Sequence, residues 1–81
     1  MYFVYILKSE KDCGIYIGKT NNVSRRILEH NAGHTQSLKN RIPLTLLEYI
    51  ECKTEEDARC LEKEYKKGYK REEIKRKYNL Q

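Results

Sequence analysis

The sequence predicts an α+β fold in which a small three-stranded antiparallel sheet is flanked by helices, in the order ββαβαα. Three observations carry this prediction. Two short runs rich in β-branched and aromatic residues open the chain, joined by a polar connection with a turn glycine. A third such run stands in the middle. Three further stretches show helical spacing or helix-start signals, one before that third run and two after it.

Tyr2-Phe3-Val4-Tyr5-Ile6-Leu7 is apolar at both alternating sets of positions and reads as a strand buried on at least one side. Ser9 to Gly14 is the polar connection. Ile15 to Gly18 is the second strand, antiparallel to the first, and such a hairpin brings Tyr5 and Tyr16 together. A helix follows over Val23–Asn31, with Asn21 or Asn22 able to cap it. Its apolar stripe is Val23 and Ile27. Arg26 and His30 are four apart and share a face beside that stripe, while Arg25 and Glu29 are expected to point to water. Residues 32–43 form the longest expected loop, in which His34, Lys39 and Arg41 alternate with polar residues able to contact phosphates. Leu44–Ile50 is the third strand. Thr54 caps a helix that runs to about Lys67, with Glu55, Glu56 and Asp57 favoured at the positive end of its dipole. Gly68 is expected to end it, and a short basic helix covers Arg71–Tyr78.

A chain of 81 residues is read as one domain, residues 1–81. At this size only ~60% of the unfolded surface is buried, so the core is small. Seven tyrosines and one phenylalanine supply much of its bulk. The net charge of +5 is uneven: residues 19–41 hold five Lys/Arg against one Glu. That suits a polyanionic partner, although a face kept basic for solubility fits the charge equally well. Cys13, Cys52 and Cys60 are odd in number and widely spaced, so they read as reduced thiols of a cytoplasmic chain. No signal-peptide pattern opens the sequence. The longest apolar run, Tyr2 to Leu7, is far too short to span a membrane, and no membrane partner is expected.

Glu62 is the sharpest candidate for chemistry. Ala58, Leu61 and Tyr65 form the apolar stripe of their helix, and Glu62 lies along it, whereas the neighbouring acids belong on wet faces. A carboxylate on a packing face must be paired or bind a cation. On periodicity alone the simpler answer is an ion pair, with Lys66 at the favourable spacing. His30 and His34 invite a zinc reading, but Gly33 interrupts the spacing and no third ligand is evident.

Phe3-Val4-Tyr5, ten intervening residues, and Tyr16-Ile17-Gly18 resemble the signature of the GIY-YIG nucleases. The literal Gly14-Ile15-Tyr16 is not the first motif, because its tyrosine belongs to the second. Arg26 lies ten residues after Tyr16 and His30 four after that, as in the family. Lys19 follows the motif glycine, and Glu62 lies in Ala58-Arg59-Cys60-Leu61-Glu62, like the family's helical metal-binding glutamate. The match spans nearly the whole chain and is closest to the small stand-alone GIY-YIG proteins of unknown substrate, including their Gly68-x-x-Arg71-Glu72 pattern.

The resemblance implies a divalent-metal-dependent endonuclease that hydrolyses DNA phosphodiester bonds, leaving 5′-phosphate and 3′-hydroxyl ends. Tyr16, Arg26 and Glu62 are then the central trio, with Tyr5 and His30 beside them. Glu62 holds Mg²⁺ or Mn²⁺, since one carboxylate suffices when water and phosphate oxygens fill the remaining positions. Arg26 grips phosphoryl oxygens with two parallel bonds. The base is Tyr16 or Tyr5. A free tyrosine with a pKa near ~10 needs a nearby cation for that task, and Lys19 and the metal are candidates. Lys19, Lys39 and Arg41 are the expected DNA contacts. The expected partner is DNA, with branched or single-stranded forms as the candidates. Relatives with known targets usually carry a further recognition domain, so a protein partner is expected to supply specificity where there is any. A non-catalytic nucleic-acid-binding module on the same fold, and a domain whose tyrosines serve only the core, are the competing readings.

Overall fold

The computed structural model describes residues 1–80. β1 (Tyr2–Ser9) and β2 (Ile15–Thr20) form a hairpin, followed by α1 (Val23–Asn31) and a 3-10 helix (Gln36–Arg41). Then come β3 (Leu44–Cys52), α2 (Glu55–Tyr65) and α3 (Gly68–Lys77). The sheet is antiparallel with order β2-β1-β3, so β2 is an edge and β1 the centre. The expected α+β architecture ββαβαα is the one observed.

β1 is apolar throughout because helices cover both sides of the sheet. Val4 and Ile6 face α2 and α3, with Ile15, Ile17, Ala58 and Ile74. Tyr5 and Leu7 face α1 and the 3-10 helix, with Leu38 and Leu44. Alternation thus sends Tyr5 to one layer and its neighbours to the other. The register with β3 slips between Ile6 and Leu7, which pair with Glu48 and Leu46 and leave Leu47 as an extra residue. This bulge lets Leu47 and Glu48 both serve the α3 side. Leu47 joins the core there, and the Tyr78 hydroxyl donates to the Glu48 carboxylate at 2.8 Å.

The caps behave as the side chains dictate. Asn22 accepts from the Arg25 amide at the start of α1, and Thr54 accepts from the Asp57 amide at the start of α2. Asn31 at the end of α1 holds β3 in place: its amide group donates to the Leu44 carbonyl at 3.1 Å, and its oxygen accepts from the Leu44 N–H at 2.7 Å.

Two expectations differ from the structure. The stretch expected to be loop contains the 3-10 helix, because Leu38, with 2% of its surface exposed, plugs the core beneath α1. One apolar side chain in a polar run gives no periodicity to read. Gly68 does not end α2. That helix stops at Tyr65, with Lys66 as its cap, and Gly68 is the first residue of α3.

Candidate active site

The site is built on the β1–β2 hairpin. Tyr5 pairs with Gly18 across the strands, and Tyr16 lies two residues earlier on the same face of β2. Gly18 leaves room for the Tyr5 ring: a Cβ there would lie 2.5 Å from the hydroxyl and 2.7 Å from Cζ. Both atoms belong to a buried ring with nowhere to retreat. Gly18→Ala is therefore expected to destabilise the fold by about 1–3 kcal/mol, as overpacking does. Urea denaturation measures this, and an unchanged midpoint would mean that the ring does not lie over Gly18.

α1 brings Arg26 and His30 down onto these tyrosines. His30 is fully enclosed, with 0% exposure. Its Nε2 meets the Tyr5 hydroxyl at 2.9 Å and its Nδ1 meets the Thr35 hydroxyl at 2.7 Å. Its ring stands edge-on to Tyr16, with centroids 5.4 Å apart, and the Tyr5 and Tyr16 rings are 6.2 Å apart. The Arg26 guanidinium lies against the Tyr5 hydroxyl and donates from Nη1 to Glu29 at 3.0 Å. Glu29 thus serves as the counter-ion of Arg26 as well as facing water, because at three residues' spacing its carboxylate folds back to the guanidinium.

These contacts fix the proton inventory. Burial pushes Tyr5 up to about 12, and the adjacent Tyr16 and Glu62 add to this against the opposing bond from Arg26. Burial first, and then the charge of Arg26, lower the pKa of His30, so the imidazole is neutral near pH 7. One arrangement satisfies both ring nitrogens: Tyr5 donates to Nε2, and Nδ1–H donates to Thr35. Both nitrogens of His30 are then in use, and exposed His34 has no role beside it, which leaves no basis for zinc.

Glu62 arrives from the other layer. α2 packs on the opposite side of the sheet, but β2 is an edge strand, so α2 can present a side chain around its margin. The Glu62 carboxylate is 18% exposed, lies near enough to Tyr5 to influence its hydroxyl, and pairs with Lys66 Nζ at 3.2 Å. The ion pair read from periodicity is therefore present, and its lysine lines a cleft with Tyr16. Among the described residues no three His, Cys, Asp or Glu gather around a common point, so Glu62 is a lone carboxylate. As a half-buried hard oxygen donor that already holds one cation, it fits Mg²⁺ or Mn²⁺ completed by water and phosphate oxygens.

The basic residues divide. Lys19 is three positions from Tyr16, an odd spacing on a strand, so its side chain emerges on the α2 side and pairs with Glu55 at 3.1 Å. Lys19 thus pairs at the start of α2. Lys39 is exposed on the 3-10 helix. Arg41, from the same helix, lies over Gly14 and lines a cleft with Tyr16. Sequence reasoning missed three contributors: Gly18 as ring clearance, Thr35 as the partner of His30, and Arg71, whose Nη2 donates to the Ile15 carbonyl at 2.8 Å. The Thr35 contact had a local signal, five residues after His30. The other two depend on register and on contacts distant in the chain.

Comparison with known proteins agrees with the fold. The family described as the GIY-YIG catalytic domain matches residues 1–79. The solution NMR structure of the UPF0213 protein BH0048 from Bacillus halodurans is similar, with a TM-score of 0.56 and 32% sequence identity, covering 91% of this chain and 82% of that one. No curated protein matches the sequence.

Proposed function

The chain belongs to the GIY-YIG family, whose domains are generally nucleases acting on DNA with divalent metal ions, and from that membership we propose that it is a metal-dependent endonuclease. The observation that carries this reading is the convergence of Tyr5, Tyr16, Arg26 and His30 on one face of the hairpin, with Glu62 paired to the Lys66 that shares a cleft with Tyr16.

Roles follow from exposure. Tyr5, 1% exposed and protonated over the whole working range, is a positioning residue: it hangs from His30 and braces Arg26. Tyr16 is only partly buried and is the hydroxyl that water and substrate reach, which supports it as the base. Arg26, with about a third of its side chain exposed (36%), can release one donor pair to the phosphoryl oxygens while Glu29 keeps it oriented. Tyr16, as the base, takes a proton from the attacking water, whose oxygen bonds to phosphorus. The P–O3′ bond breaks, its electron pair leaves with the departing oxygen, and solvent protonates that oxygen. Mg²⁺ or Mn²⁺ held by Glu62 supplies positive charge to the phosphate oxygens when bound. Lys66 then gives up its pair with Glu62. Because Lys66 is 53% exposed, that pair is weak and the exchange is easy. Lys39 and Arg41 are the proposed contacts to flanking DNA.

The test is incubation with labelled branched, single-stranded and double-stranded DNA, with and without Mg²⁺ or Mn²⁺. Cutting that requires the divalent ion is the expected result. Tyr16→Phe lowers it by about 10²–10⁴-fold, as loss of a general base does. Tyr5→Phe, which removes only a brace, lowers it less. A reversed order would transfer the base role to Tyr5. Binding without cutting on every DNA is what a non-catalytic nucleic-acid module gives, the reading that the Glu62–Lys66 pair favours.

A further inference from the structure

We propose that Arg41, Lys66 and Arg71 form a second phosphate subsite, which holds a DNA backbone phosphate next to the one gripped by Arg26. Their side chains line a cleft of about 180 Å³ together with Tyr16, Ile15 and Ile17. The three cations come from the 3-10 helix, the cap of α2 and α3, so the fold brings together like charges from distant stretches. Like charges meeting in a concavity repel one another unless an anion joins them. No carboxylate lines the cleft. The acids nearby are engaged at its margins: Asp12 is 3.3 Å from Arg41 Nε, and Glu62 is 3.2 Å from Lys66.

Donors are left over. Arg41 Nε is buried and makes no hydrogen bond, with Asp12 Oδ2 3.3 Å away. Arg71 has no acidic partner within 4.0 Å among the described residues. Among the described residues its side chain makes one bond, 2.8 Å to the Ile15 carbonyl, which anchors the guanidinium on the open edge of β2 and leaves its other N–H groups without a partner there. The cleft is below the ~300 Å³ of a pocket for a drug-sized ligand, so it suits a phosphate group and not a whole nucleotide. Tyr16 is the shared wall: it borders His30 on one side and this cleft on the other. The identity of the ligand rests on the nuclease reading.

The test is binding of a short fluorescein-labelled single-stranded DNA in EDTA, where no cutting occurs, across a series of salt concentrations. Lys66→Ala and Arg71→Ala each weaken binding about tenfold, the loss of one bond to a charged group. Each also lowers the slope of log affinity against log salt by about 0.7. Arg71→Lys keeps the slope and loses affinity. Arg76→Ala, which removes the same charge from an exposed position outside the cleft, leaves the slope as it is. Equal effects at Arg76, or an unchanged slope for both cleft variants, would overturn the subsite. Displacement of the DNA by comparable concentrations of inorganic phosphate at fixed ionic strength would make it a free-anion site and overturn it as well. Melting temperatures separate these outcomes from loss of the Ile15 anchor, since the Lys66 side chain bonds to no backbone group and its amide is kept in Lys66→Ala. Absence of cleavage by the wild-type protein in Mg²⁺ or Mn²⁺ strikes the nuclease reading alone and leaves these binding slopes to be judged by themselves.

Discussion

Arg26→Ala lowers single-turnover DNA cleavage by about 10²–10³-fold, the scale of removing a preorganised donor from a developing oxyanion. The fold survives, because the pair with Glu29 is partly exposed and contributes little stability. Arg26→Lys does not rescue the rate. Its ammonium keeps the charge but has no fork, and so cannot span two phosphoryl oxygens while lying against the Tyr5 hydroxyl. Rate measurement beside circular dichroism melts checks both halves. A lysine variant as fast as wild type would reduce Arg26 to a point charge and remove the reason for its brace by Tyr5 and His30.

Glu62→Gln keeps the shape of the side chain and removes its charge. Mn²⁺ affinity, read by electron paramagnetic resonance of the free ion, falls at least about 10²-fold, since even outer-shell partners of metal ligands are worth 10–100-fold. Cleavage falls with it. Stability is expected to stay within about 0.5 kcal/mol, because Lys66, 53% exposed, turns to water and the neutral amide still fills the place of the carboxylate. Unchanged Mn²⁺ affinity would mean that Glu62 is an ion-pair residue only.

Much of this site was legible because short-range periodicities act on it. Four-residue spacing put Arg26 and His30 on one face of α1, and two-residue spacing gave β1 its two faces. The same rule, applied to Tyr16 and Lys19, sends them to opposite faces, which the motif spacing alone conceals. The placement of Gly18 under Tyr5 needed the strand register, and the service of Leu47 and Glu48 to the α3 side needed the bulge in β3. Leu38 had no apolar neighbours in the chain to betray its helix. The contact between Arg71 and Ile15 spans 56 residues and leaves no local trace. The burial of His30 was likewise out of reach, since a histidine beside an apolar stripe can lie at its rim or beneath it.

The most direct test compares wild type, Arg26→Ala and Glu62→Gln on the DNA that the wild-type protein cuts most readily, with Mg²⁺ or Mn²⁺ present and then chelated. Cutting by the wild type alone, and only with the ion, is the predicted result. Cutting that persists in both variants, or that continues in chelator, would contradict the placement of the reaction between these two side chains.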